Sequence, residues 1–327
     1  MSRSIGEVTP VQEFLPDWMA LVIALFTQLG DIWFLTLVLA VLYWTQVERQ
    51  DDIVLVGGML VAGIGFYRFL KYVFELPRPD DPLLDPELVP WIIRPLYEAT
   101  AFSASYGFPS GHATVSTIVY FGLAMVLPVG SRRVRFICAG FLVVLVGFTR
   151  IALGLHFLVD IIVGVVIGAV VLYTGFSTAT RLRGDRVTVL LFIAVLLNGL
   201  YLLESAIDVE AVIMFGTALG LFGGWQLVVL ARRLVALDRP SGAVRPITIR
   251  GGLAALTLGP LVFALEEFPL LFGEPYPVGG VVGLFAAVVV VLPIARYSPH
   301  VQRLLTAVSF WVRSIVTELR KLLRRAT

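Results

Sequence analysis

Residues 149–160 read Thr149-Arg150-Ile151-Ala152-Leu153-Gly154-Leu155-His156-Phe157-Leu158-Val159-Asp160. Apolar runs at 135–153 and 157–176 flank this junction, and each has the length of a membrane-spanning helix. If residues 156–160 are helical, His156 and Asp160 stand four apart on one face. An Asp at the centre of a membrane helix costs about 2.5–3.5 kcal/mol, and less near the interface, so it needs a partner. His156 is the nearest one. A carboxylate holding one ring N–H leaves the other nitrogen with its lone pair outward, as a nucleophile. Arg150, across Gly154, reaches the same pocket. Taken alone, the stretch also reads as a His–Asp pair that satisfies itself between two helices.

The surrounding chain is of the same kind. At 58% hydrophobic and 15% charged residues, with a mean hydropathy of +0.91, it is too apolar for a soluble globular protein. Further spans are predicted at 31–46, 52–73, 111–127, 187–204, 210–231, 249–266 and 278–295. A shorter run at 18–30 either spans thinly, lies at the interface or re-enters. The expected fold is all-α, a polytopic transmembrane bundle. Its parts are a core over residues 1–186, about four additional helices over 187–297, and a C-terminal segment, 298–327. That last segment repeats apolar residues at helical spacing among Arg303, Arg313, Arg320, Lys321, Arg324 and Arg325, the pattern of an amphipathic helix lying on an anionic lipid surface. The net charge of +2 gives no argument for nucleic-acid binding. The lone Cys138, in an apolar stretch, can form no internal disulfide. Met1 to Asp17 lacks a basic leader, so a cleaved signal peptide is not expected.

The arginines orient the bundle. Arg132, Arg133 and Arg135, then Arg181, Arg183 and Arg186, then Arg232, Arg233, Arg239, Arg245 and Arg250 fall in alternate connections, and the intervening ones carry Glu204, Asp208, Glu210, Glu266, Glu267 and Glu274. By the positive-inside rule the basic connections and the C-terminus are cytoplasmic. The 149–160 junction then lies at the extracytoplasmic face of the cytoplasmic membrane.

Two other polar groups fall on that face. Pro109-Ser110-Gly111-His112 leads a long connection into a helix. Ser110 suits an N-cap, Gly111 permits close approach to the backbone, and free N–H groups of the first turn form an anion site. His112 would stand beside a bound phosphate, placed to give a proton to a leaving oxygen. The bland reading is a capped helix start with an interfacial histidine. Upstream, Lys71 ends a helix, and Arg78, between Pro77 and Pro79, folds back over it. Either cation could simply snorkel. Yet Lys71 and Lys321 are the only lysines in a chain that otherwise uses arginine, which suggests that a compact ammonium is wanted. The connection 74–107, with Trp91-Ile92-Ile93 and Leu96-Tyr97, is expected to pack on the membrane surface.

Together, Lys71…Arg78-Pro79, Pro109-Ser110-Gly111-His112 and Arg150…His156…Asp160 resemble the three motifs of the type 2 phosphatidic acid phosphatase superfamily, in order and in internal spacing. Thr149 replaces a serine of that pattern, and Asp80-Asp81 beside Arg78 would repel an anion unless turned to water. The resemblance covers about residues 20–180. It implies a lipid phosphatase in which His156 attacks phosphorus, Asp160 orients it and His112 protonates the leaving group. Lys71, Arg78, Ser110, Gly111 and Arg150 would hold the phosphoryl oxygens, with no metal and no cofactor. The substrate would be a membrane lipid phosphate or an isoprenoid diphosphate. Transfer to an acceptor other than water, or a non-catalytic lipid-phosphate binding or transport protein, are the alternatives.

Overall fold

The computed structural model describes residues 6–16, 18–79, 82–102, 105–181, 185–237, 240–267 and 275–297. The Asp80-Asp81 pair and the basic segment 298–327 lie outside the described residues. The rest is an all-α bundle, without strands among the described residues. In order the helices are α1 (Val8–Glu13), α2 (Met19–Thr27), α3 (Ile32–Thr45), α4 (Gln50–Phe74), α5 (Arg94–Ala101), α6 (Gly111–Val126) and α7 (Arg132–Ala152). There follow α8 (Leu158–Arg181), α9 (Arg186–Glu204), α10 (Val209–Val235), the single turn α11 (Val244–Pro246), α12 (Gly252–Glu267) and α13 (Pro275–Val291).

Local chemistry sets the ends. Ser110, Ser131, Asp185 and Asp208 cap α6, α7, α9 and α10, each side-chain oxygen accepting a first-turn N–H. α4 stops where Glu75 turns left-handed at φ 49, two residues before Pro77. Among the described residues seven helices are long and apolar enough to cross a membrane, so the chain is an integral membrane protein. The first apolar run and the second form a pair bent by 48° about Asp31. α6 has 16 residues, about 24 Å, shorter than a full span. It packs against α4, α7 and α8, and most of its side chains are buried.

The helices after α8 are packed into the same core. Leu55, Met59, Ile118, Leu191, Phe222 and Trp225 belong to one apolar cluster. α9 runs close along α4 because Gly65 has no side chain; a Cβ there would lie 2.7 Å from the Asn198 backbone nitrogen. Asn198 Nδ2 also donates to the Val61 carbonyl at 3.0 Å. α10 and α13 meet along Gly216, Gly220 and Gly224 on one side and Gly279, Gly283 and Ala287 on the other. Such small residues four apart let two membrane helices touch backbone to backbone.

The two ends of the bundle differ in charge. At the end where α4 begins and α6 finishes, Arg232 pairs with Asp51 at 2.7 Å, Arg186 with Asp52, and Arg250 with Asp185 at 3.2 Å. Arg49 and Arg135 donate there to the carbonyls of Val126 and Ala124. The opposite end holds the last turn of α4, the first turn of α6 and the α7–α8 connection. All three motifs therefore share one end. Over it lie the described parts of the connection between α4 and α6, with Trp91 and Ile92 pointing outward and Tyr97 buried against α2 and Leu153.

Candidate functional site

Asp160 is the third residue of α8, and its Oδ2 accepts the Phe157 backbone N–H at 3.1 Å. This is the reciprocal half of a capping box, and it starts the helix at Leu158. The helical stacking expected for His156 and Asp160 is thus not how they meet. Gly154, at φ 68, turns the chain out of α7, and His156 sits in the short connection before α8. His156 Nδ1 lies 3.5 Å from Asp160 Oδ2, within ion-pair reach but longer than a good hydrogen bond. Both side chains are buried.

The other imidazole nitrogen faces a cation. His156 Nε2 is 3.1 Å from Arg78 Nη1. A guanidinium has only donors, so Nε2 accepts, and the neutral ring carries its proton on Nδ1, toward Asp160. Burial pushes the His156 pKa well below 6.5, and the positive fields of Arg78, Lys71 and Arg150 act in the same direction, as does His112. The ring is neutral at physiological pH.

Arg78 is carried by the extended segment after α4. Its Nε and Nη2 donate to the carbonyl and Oγ of Ser105 at 2.7 and 2.9 Å, and Nη1 also reaches the Leu155 carbonyl at 2.9 Å. Burial first, then the nearby Arg68, lowers its pKa to about 10, which leaves it charged. Lys71, in the last turn of α4, is buried with Nζ donating to the Tyr106 carbonyl. Arg150, in the last turn of α7, donates from Nη1 to Thr27 Oγ1 at 3.1 Å, while its buried Nε has no hydrogen-bond partner among the described residues. Ser110 caps α6, and its backbone N–H donates to the Asp160 carbonyl at 3.0 Å, which ties the second motif to the third. A Cβ on Gly111 would lie 2.7 Å from the Tyr67 ring, so that ring makes the close approach. The Thr149 hydroxyl is spent on its own helix, at 2.7 Å from the Val146 carbonyl.

Sequence reading passed over several residues here. His112 Nε2 lies 3.1 Å from Asp31 Oδ1, at the bend between α2 and α3. An acid between two apolar runs was a visible signal. Arg68 is a fourth cation near the motif end, paired with Glu210 across α4 and α10 and placed over the Tyr67 ring. An arginine inside a predicted span is itself a functional flag. Glu7, at the chain start, accepts the Leu158 N–H at 2.8 Å.

Residues 52–183 match the PAP2 superfamily, and this stretch contains all three motifs. A 131-residue alignment with phosphatidylglycerophosphatase B of Bacillus subtilis (strain 168) is 34% identical and takes in 37% of this chain and 63% of that protein. The crystal structure of a transmembrane PAP2-type phosphatidylglycerolphosphate phosphatase from Bacillus subtilis overlays with a TM-score of 0.43 at 24% identity, over 54% of this chain and 84% of the other. From α4 to the end of α8, this chain is therefore similar to the PAP2 superfamily, over less than half of its length and less than two thirds of the length of the Bacillus relative.

Proposed function

We propose that the protein is a membrane phosphatase that hydrolyses a lipid phosphate or an isoprenoid or lipid diphosphate through a phosphohistidine. The observation that carries this reading is the environment of His156, whose acceptor nitrogen lies 3.1 Å from a guanidinium while the opposite ring edge faces a buried carboxylate. A bound phosphoryl group would replace Nε2 as the acceptor of Arg78 and so free the lone pair for attack. Nε2 forms the N–P bond as the bond from phosphorus to the leaving oxygen breaks, and His112 gives that oxygen its proton. His112 then takes a proton from water as the water oxygen attacks phosphorus, and the N–P bond breaks to release phosphate. Lys71, Arg78 and Arg150, with the Ser110 and Gly111 turn, would stabilise the equatorial oxygens, where charge builds in the transition state.

The positive-inside rule supports a cytoplasmic arginine end, with this site at the extracytoplasmic headgroup level. A substrate with its phosphate at the interface and its tail in lipid fits that position. The name of the Bacillus relative supports phosphatidylglycerophosphate as the first substrate to try. The purified protein is to be assayed for phosphate release from phosphatidylglycerophosphate, phosphatidate, a polyprenyl diphosphate and a water-soluble phosphomonoester, beside His156→Ala. Release from a lipid substrate by wild type alone supports the proposal. No release from any of them would overturn it in favour of a binding or transport role.

A further inference from the structure

A cavity of about 360 Å³ lies within the membrane-spanning part of the bundle, between α3, α4, α10 and α13. Its walls are almost wholly apolar, with Trp33 on α3, Ile64 on α4, Met214 on α10 and Phe285 on α13. Along α4 it runs from Ile53 to Ile64, about 16 Å by helical rise. At one end the Tyr43 hydroxyl donates to the Val290 carbonyl at 2.7 Å and Trp44 Nε1 to Val289 at 3.0 Å, which joins α3 to α13 below it. At the other end it stops beneath the candidate site. Ile32 and Trp33 follow Asp31, the partner of His112. Ile64 and Lys71 share one face of α4, two turns or about 10 Å apart.

We propose that this groove receives one hydrocarbon chain of the lipid whose phosphate the site holds. The proposal rests on the lipid-phosphatase reading above and deepens it. An apolar slot inside a bilayer protein has hydrocarbon as its natural filling, since water gains no partners there. The spacing matches a lipid, with a cationic clamp at one level and an apolar slot starting about 10 Å deeper on the same helix face. Three of the four walls, α3, α10 and α13, lie outside residues 52–183, and α10 and α13 follow that stretch. The later helices thereby gain a task, selecting the chain of the substrate.

Gly57 lines the groove, and a Cβ there would meet nothing within 4 Å, so the Gly57→Phe side chain leaves α4 into open space and occupies the slot. Ala286→Trp fills it from α13. The readout is the ratio of kcat/KM for long-chain over short-chain phosphatidate. Both variants are expected to lower this ratio about tenfold or more, the loss expected when a few methylenes stay unburied. Gly259→Phe, on α12 and equally open, should leave both rates unchanged. An unchanged ratio in both groove variants of an active enzyme overturns the groove and leaves the phosphatase reading standing. A second measurement needs neither turnover nor a variant: phosphatidate with a diazirine at its chain end, photolysed on the wild-type protein. Label on α3, α10 or α13 within the groove supports the proposal, and label confined to other helices overturns it. Groove labelling by a protein that releases no phosphate would sink the phosphatase reading alone.

Discussion

Asp31→Ala tests the least expected contact of the site. The carboxylate stands 3.1 Å from His112 Nε2, and both side chains are only partly exposed, at 27% and 21%. In the proposed mechanism Asp31 is a positioning residue that aims the ring delivering the leaving-group proton. Breaking a partly buried ion pair costs between the ~0–1 kcal/mol of an exposed pair and the ~3–5 kcal/mol of a buried one, here about 1.5–2 kcal/mol. Each 1.36 kcal/mol lost from the transition state is tenfold in rate, so kcat should fall about ten- to thirtyfold. KM should change little, because Asp31 is not among the groups expected to hold the phosphate. Asp31→Asn retains an acceptor of the same shape and should recover most of the loss. The assay is steady-state phosphate release from a lipid phosphate in detergent, with kcat and KM resolved for both variants. An Asp31→Ala enzyme within twofold of wild type would refute the assigned role, as would a loss carried wholly by KM.

The remaining predictions concern pH and packing. His156 has a folded pKa below its unfolded value of about 6.5, so the free enzyme keeps the neutral nucleophile as pH falls through that value, and the acid limb of kcat/KM should lie below pH 6.5; a limb at or above 6.5 contradicts this. The same shift costs stability on acidification, since the unfolded chain binds the proton first, and denaturation midpoints should fall from pH 7 to pH 5. Gly220→Leu drives a side chain into the Gly283 backbone and should cost at least about 1–3 kcal/mol, seen as a lower Tm in detergent than for Gly140→Leu, whose nearest new contact is the Phe121 ring at 3.8 Å. Equal Tm values would show that the α10–α13 seam yields without strain.

Much of this architecture was legible before any coordinates. Apolar runs gave the helices, and the alternation of arginine and acidic connections gathered the three motifs at one end, where the structure also has them. Ser110 was readable as a cap because a Ser before a helical run satisfies an orphan N–H. The helical stacking of His156 on Asp160 was conditional on residues 156–160 being helical, and the i, i+4 spacing is silent about what Asp160 does with its other lone pairs. The capping bond to Phe157 starts α8 two residues beyond His156, so the pair meets through a turn. Asp31 and Arg68 escaped notice for a different reason. Each is polar within or beside an apolar run, and its partner, His112 or Glu210, belongs to a distant helix. Cys138 is exposed on α7, in keeping with a lipid-facing position. The glycine seam of α10 and α13 was written in the four-residue spacing on both helices, but pairing the two stretches needed the packing itself.

The central claim is that phosphorus passes through the Nε2 of His156. Rapid quench into alkali, which preserves a phosphohistidine, after mixing the enzyme with a lipid substrate labelled in its phosphate, tests it most directly. The account predicts transient label on the peptide carrying His156 and none in His156→Ala. Label on another residue, or phosphate release by His156→Ala at the wild-type rate, would contradict it.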